Sequence, residues 1–272
     1  MKIYYPSEKS LDGITHLCIA AHQDDIEIMA YAPIAECYGS SEKAFVGVVV
    51  TDGAGSPRTG EFADFTDEQM KEIRVLEQQK AADIGKYRAA IQLGFPSKAV
   101  KDGGNDDPVQ AIYDLLIKIR PKHLYTHNLA DKHETHAAVA LRTVEAVKRL
   151  PAELRPESFT ALEVWRSLDW LPDDDKVCLD TAAYPEVARE LLTVHRSQVA
   201  GGKRYDNAAI GRRFANATFF ASHDTDDFTS MNFGLDLMPL VEGEMSSADF
   251  ICGYIEKFKN EVNSTLERLM KK

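Results

Sequence analysis

The chain reads as an α/β protein: a mostly parallel β-sheet with helices on both faces, followed by a C-terminal extension. Three observations predict this. Apolar runs such as "AFVGVVVTDGAG" are continuous rather than alternating, as in strands covered on both sides. Segments of helical periodicity separate the runs. Glycine and proline close them. In such sheets ligands sit beyond the carboxyl ends of the strands.

Taken in order, Ile14–Ala20 is a short apolar strand that ends at "HQDD". Ile26, Met29, Ala30, Ile34 and Cys37 then recur at helical spacing, with Pro33 as a local disturbance. The run quoted above is a second strand, closed by Gly53 and Gly55. Thr66–Gly85 is a helix, with Thr66 or Asp67 as N-cap and Gly85 as stop. "RAAIQLGFP" is a third strand, ended by Gly94 and Pro96. Pro108–Ile119 is a helix, Lys122–His127 a fourth strand, and His136–Leu150 another helix.

After "LPAELRPES" the pattern changes. "FTALEVWRSLDWL" and "DKVCLDT" read as strands, the latter at an edge. Tyr184–His195 is helical, and Ser246–Met270 has the periodicity of a long terminal helix. "GGKRYDNAAIGRRF", residues 201–214, offers Lys203, Arg204, Arg212 and Arg213 and reads as a solvated turn rather than a loop that grips an anion. No repeat, low-complexity tract or flexible linker divides the chain. One domain is expected, with its core at about residues 12–150 and an extension at about 151–272 packed on it.

Composition excludes several partners. Lys and Arg number 32 against 43 Asp and Glu, so no basic surplus exists to displace the counterions of a nucleic acid. No run approaches the roughly 18 apolar residues of a membrane helix. The N-terminus lacks the apolar stretch of a signal peptide, so a cytoplasmic protein is expected. Cys18, Cys37, Cys178 and Cys252 form no C-x-x-C pair, which argues against a zinc knuckle or a dithiol redox motif. A homo-oligomer is compatible with the sequence but not specified by it.

Three polar clusters fall at expected strand ends: "HQDD", "TDGAGS" and "THNLADKHETH". His22 and Asp25 are three apart where a strand turns into a helix, so both can address one atom. Asp24 projects differently and is available as a general base toward an attacking water. A catalytic zinc site usually has three protein ligands and an open position. His136, opening a helix on the matching strand-end edge, is the natural third, with His133 three residues before it. Each segment alone also has a plain explanation. Asp24 or Asp25 could cap a helix, and an HxxH pair arises easily among eight histidines. Together, at adjacent strand ends, they read as a metal site. "TDGAGS" lacks the G-K-[ST] ending of a P-loop, and His16, His123 and His223 have no mate at metal spacing.

"AAHQDDIE" resembles the A-H-P-D-D-E motif of the PIG-L/LmbE-like metal-dependent N-deacetylases, with Gln23 for Pro and Ile26 for Glu. "VVVTDGAGS", "IRVLEQQKAADIG" with its Arg-x-x-Glu, "LGFP", "HNLADKHETHAAV" and "VHRSQV" resemble further segments of that family, in order, over roughly residues 14–200. The resemblance implies a zinc hydrolase on a Rossmann-like fold that removes acetate from an N-acetylated amino sugar or its glycoside, a substrate of the N-acetylglucosaminyl type. It implies His22, Asp25 and His136 as metal ligands and Asp24 as base. By the same resemblance His133 stabilises the oxyanion and Arg74 contacts substrate, whereas helical spacing alone would pair Arg74 with Glu77. His195, Ser197 and Gln198 of "VHRSQV" could line the pocket or be structural.

Two positions depart from the family pattern. Thr135 stands where H-P-D-H carries the Asp that orients the oxyanion-stabilising histidine, with Asp131 and Glu134 as candidate substitutes. Ile26 is expected to remove a carboxylate near the metal, with Glu27 pointing elsewhere. These departures motivate an alternative: a non-catalytic, metal-containing carbohydrate-binding protein that has lost turnover. A phosphoesterase would call for a second metal and more carboxylates. The ligand set also accepts divalent transition metals other than zinc.

Overall fold

The computed structural model describes residues 1–7, 9–56, 58–200 and 203–271. Its strands are β1 (Lys2–Tyr4), β2 (His16–Ala20), β3 (Phe45–Thr51), β4 (Ala89–Phe95), β5 (His123–His127), β6 (Ser158–Leu162), β7 (Val177–Asp180) and β8 (Met231–Asp236). In the first half lie the helices α1 (Asp25–Met29), α2 (Tyr31–Tyr38), α3 (Asp67–Ile84), α4 (Ser97–Lys101), α5 (Asp107–Ile119) and α6 (Glu134–Arg149). The second half adds α7 (Pro185–Thr193), α8 (Arg196–Val199), α9 (Tyr205–Phe219), α10 (Met238–Glu242) and α11 (Ser247–Met270).

All eight strands join one sheet, in the order β1-β4-β3-β2-β5-β6-β8-β7. The central five are parallel. β1, β8 and β7 run antiparallel to their neighbours, and β7 is an edge strand as its sequence suggests. Both faces of the parallel strands are buried, which is why they read as continuous apolar runs. Leu17, Ile19, Val46, Val48, Ile91 and Leu124 enter one core, with α5, α6, α10 and the start of α11. Cys18, Ala20, Phe45, Val49, Ala90 and Tyr125 enter the other, with α1, α2, α3 and α7.

This topology fixes where a ligand can sit. From β2 the chain moves outward to β3 and β4, then crosses back to build β5 and β6 on the other side of β2. A crevice opens between the carboxyl ends of β2 and β5, where the strand order reverses. The His-Asp-Asp cluster follows β2, and the histidine-rich loop follows β5.

The helix expected across residues 26–37 is two helices that meet at Ala30. Pro33 has no N–H to offer the Met29 carbonyl, and its ring crowds that carbonyl. Thr66, not Asp67, caps α3: its hydroxyl accepts from the Gln69 N–H at 3.2 Å while the Gln69 side chain accepts from the Thr66 N–H at 2.9 Å.

Beyond residue 150 the differences are larger. β6 stops at Leu162 rather than running through "EVWRSLDWL". The chain there turns around the buried Glu163 carboxylate, which accepts from the Leu168 and Phe233 N–H groups at 3.0 and 3.2 Å. The stretch read as a turn over 201–214 is mostly α9; Gly201 and Gly202 lie outside the described residues. β1 and β8 carried no strand signal strong enough to be read. Among the described residues, no helix is long and apolar enough to cross a membrane.

Candidate active site

The loop after β2 turns so sharply that Asp24 takes a positive φ of 96°, uncommon for any residue but glycine. Strain of this kind persists where the surroundings enforce it. Asp24 stands at the N-cap position of α1, yet its side chain makes no capping bond. Instead it accepts from the Arg74 guanidinium at 3.2 Å. That excludes the plain capping role for this carboxylate. Burial raises its pKa to about 6, with the Asp25 charge adding to the effect and Arg74 opposing it. A carboxyl titrating there is suited to general-base work near neutral pH.

Asp25, one residue on, turns the other way. Its Oδ2 accepts from the His22 N–H at 2.7 Å and lies 3.1 Å from His22 Nδ1 and 3.3 Å from His136 Nε2. His22 Nδ1 and His136 Nε2 are themselves 3.2 Å apart. Three donors so spaced match ligands at about 2.0–2.2 Å from one shared cation in a near-tetrahedral shell. Burial pushes the Asp25 carboxyl up, but His136, His127 and His22 more than reverse this and hold it below the usual carboxylate range. An ionised carboxylate and two imidazoles are the donor chemistry that a borderline divalent metal takes.

Among the described residues, two donor groups besides this triangle lie within reach of a cation: His22, His133 and His136, and Asp25, His127 and His136. In the second, one donor already has a hydrogen bond. His127 Nε2 already accepts the Ala21 N–H at 2.8 Å, so its lone pair is engaged. His127, the last residue of β5, is fully buried and stacks on His136 with ring centroids 4.0 Å apart. Burial, with the nearby His136 charge, drives its pKa well below the ordinary value. Its role is to hold the β2 loop and the His136 ring. Sequence reading missed it, although it ends the fourth strand in "THNLAD".

Asp131 answers a question the sequence left open. Its Oδ2 faces His136 Nδ1 at 3.5 Å and accepts from the Trp165 N–H at 3.1 Å. Its Oδ1 accepts from the His133 backbone N–H at 2.9 Å. The carboxylate therefore lies in charge contact with the outer nitrogen of His136, where a carboxylate would steer a metal-binding imidazole, and makes no bond to the His133 ring. Glu134 points to Lys101 at 3.6 Å on the surface. Neither replaces the missing carboxylate at Thr135, and His133 Nδ1 is buried without a hydrogen-bond partner. Burial and the neighbouring His136 and His22 lower the His133 pKa.

Ile26 departs from expectation. It is fully buried in the apolar cluster against Gly47 and Tyr87 and does not border the His/Asp group. The carboxylate beneath the site belongs to Glu27, bonded to Gln78 at 2.8 Å, Tyr87 at 2.8 Å and His195 at 3.0 Å. Glu77 likewise takes the Ser197 N–H and hydroxyl at 2.7 and 2.6 Å, so it is not paired with Arg74. His195 and Ser197 thus fasten α8 to the floor, and Gln198 is left facing the cavity. Arg74 is 3% exposed and reaches the Gln23 carbonyl, Ser56 Oγ and Asp24. Its first role is to hold the β2 loop and the turn after β3 together.

That turn depends on Gly53. Its φ is +77°, and a Cβ there would lie 2.7 Å from Gln23 Oε1 and 3.0 Å from Arg74 Cδ. Gly53→Ala is expected to destabilise the fold by about 1–3 kcal/mol, read as a lower thermal midpoint. An unchanged melt would mean that the turn relaxes freely.

A cavity of about 320 Å³ opens over these groups. His22, Asp24, Asp25, His133 and Thr135 line it, together with Ser56, Arg74, Trp165, Lys203 and Tyr205. Trp165 is flanked by Lys203 and Lys132, 5.3 and 5.7 Å from its ring centroid. An adjoining hollow of about 230 Å³ shares Ile28, Val164, Trp165, Lys203 and Tyr205. Of the residues placed at the site from the sequence, His22, Asp24, Asp25, Arg74 and His133 line this cavity, and His136 lies 3.2 Å from His22.

The PIG-L family, described as GlcNAc-PI de-N-acetylase, matches residues 17–147. No curated protein matches the chain. Among solved structures, a conserved protein from Thermus thermophilus is 19% identical, covering 82% of this chain and 94% of its own, with a TM-score of 0.64. N,N'-diacetylchitobiose deacetylase from Pyrococcus horikoshii is 15% identical, covering 88% and 89%, with a TM-score of 0.66. The 4-carboxy-2-hydroxymuconate hydratase GalB from Pseudomonas putida is 16% identical, covering 85% and 100%, with a TM-score of 0.62. At such identities the likeness establishes the fold, and this fold carries both deacetylases and a hydratase. Function has to be argued from the site.

Proposed function

We propose, from the match of residues 17–147 to the PIG-L family and the geometry of the site, that this protein is a metal-dependent N-deacetylase. It would release acetate from an N-acetylated amino sugar or its glycoside, the remainder of the substrate resting against Trp165 and Tyr205. The observation that carries this reading is the His22, Asp25 and His136 triangle, with edges of 3.1–3.3 Å, flanked by Asp24 and His133 on one cavity. A divalent metal there, zinc in our reading, would polarise the amide carbonyl and lower the pKa of water toward ~7.

The chain's own groups account for the remaining chemistry. Asp24 takes a proton from the attacking water and returns it to the departing amine nitrogen, with Arg74 fixing the carboxylate's direction. His133 donates a hydrogen bond to the carbonyl oxygen as negative charge collects on it. Arg74 borders the cavity beside Ser56, so in this reading its guanidinium, bonded to Ser56 Oγ and Asp24, lies next to a substrate oxygen. The test is acetate release from N-acetylglucosamine and N,N'-diacetylchitobiose by protein reconstituted with zinc. Absence of release from every N-acetyl sugar offered, at full metal occupancy, would sink the reading.

One observation supports the alternative of a binding protein without turnover. With Thr135 in the cavity, no carboxylate among the described residues is hydrogen-bonded to the His133 ring to hold its tautomer, and burial with His136 and His22 outweighs the upward pull of Asp25 and Asp131 on its pKa. If His133 is active as it stands, Thr135→Asp is expected to change the rate by less than about tenfold, with the pH optimum moving up as His133 gains a charged neighbour. Turnover that appears only in Thr135→Asp would favour the binding reading.

A further inference from the structure

Helix α11 leaves the body of the protein part-way along its length. Phe250 and Ile251 sit in the core, and Lys257 is tied to Asp175 at 2.8 Å. From Ile255 to Met270 every residue is exposed. A helical segment this short is marginal alone in water, where tertiary packing normally supplies the stability. Ile255, Phe258, Val262, Leu266 and Leu269 follow one another at steps of three and four and are 40–69% exposed. At about 100° per residue they form a stripe only about 80° wide. That is the seam of a helix pair, narrower than the face of a helix lying on a membrane. The polar side also mixes Glu256, Glu261 and Glu267 with Lys257, Lys259 and Arg268, without the basic excess that anionic lipid favours.

We propose that this segment pairs antiparallel with the same segment of a second copy of the chain. Charge sets the direction. Glu261 and Arg268 lie on the same flank of the stripe, one heptad apart. In an antiparallel pair a flank meets itself, so Glu261 faces the partner's Arg268, and the twofold axis repeats the contact. The same register lays Val262 on the partner's Leu266 and Phe258 on the partner's Leu269, about an axis near Ser264. A parallel pair sets this flank against the one carrying Lys259 and Asn263 and gives Arg268 no acidic mate. It also brings both globular bodies to the same end of the helices, whereas the antiparallel pair holds them at opposite ends.

The experiment is sedimentation equilibrium on the full chain, with helicity followed by circular dichroism. The wild type is expected at twice its 30.3 kDa, and Val262→Asp at the monomer mass with its body folded. Glu261→Arg alone and Arg268→Glu alone should each weaken dimerisation by about tenfold or more, and the double exchange should restore it. A spin label on Cys252, exposed on α11, with Cys178→Ser to leave one accessible thiol, reports direction. About 36 Å along the axis is expected for the antiparallel register, against about 10 Å for a parallel one. A monomer at ~100 μM overturns the proposal, as do charge exchanges that leave the mass unchanged or a short Cys252 distance. So does a monomer that binds vesicles of phosphatidylglycerol and phosphatidylcholine through this stripe, since α11 would then be a lipid anchor.

Discussion

Asp24→Asn is expected to slow acetate release by about a hundredfold to ten-thousandfold while leaving the metal content unchanged. The two halves of that result follow from the division of labour between adjacent carboxylates. Asp25 is within 3.5 Å of three imidazole nitrogens, whereas Asp24 makes its contact with Arg74. The asparagine amide has the same shape and can still accept from Arg74, so the loop should keep its course. What it cannot do is take a proton. The loss should therefore fall on kcat with KM little changed, the mark of a group acting in the transition state. A residual rate within about threefold of wild type would remove Asp24 from the mechanism. Loss of metal in the variant would show instead that Asp24 is a ligand and that the two carboxylates have been assigned the wrong way round.

The parallel core was legible because burial on both faces leaves little polar alternation to confuse the reading, and β2, β3 and β4 emerged as mostly apolar runs. Placing "HQDD" and "HETH" at strand ends was enough to bring His22, Asp25 and His136 together. What lay hidden were relations that spacing does not encode. His127 and His136 both lie beside Asp25, and only the Ala21 N–H on His127 separates the ring that supports from the ring that can coordinate. Asp131 could have served either neighbouring histidine, and loop geometry turned it to His136. Helix α9 was obscured for a different reason. Arg213 lies on its buried face, its guanidinium over the Tyr31 ring and donating to the Glu27 and Ile28 carbonyls at 2.9 and 3.1 Å. A charged residue on an inward face erases the apolar periodicity by which a helix is recognised. Strand β8 escaped notice because "MNFGLD" has a glycine at its centre, where a side chain would strike Thr160 on the adjacent strand.

His136→Ala should have the largest effect of all: metal content falling from about one per chain to below about a tenth, and acetate release reduced by at least about a thousandfold. His136 belongs to every donor combination the site offers, its Nδ1 is steered by Asp131, and its ring is fully buried. His22→Ala is expected to do the same. His127→Gln should retain most of the metal, because its Nε2 is occupied by a backbone N–H and its contribution is to position. Metal content by mass spectrometry separates these outcomes without any substrate. Thermal unfolding gives a second readout, since a ligand that binds only the folded state stabilises it by mass action. Zinc at a thousandfold above its dissociation constant should raise the wild-type midpoint by about 10 °C and leave His136→Ala unmoved. If His127→Gln empties the site while His22→Ala does not, the ion sits between β5 and Asp25. It would then lie deeper than the cavity, too far in for Asp24 and His133 to act on the same substrate atom.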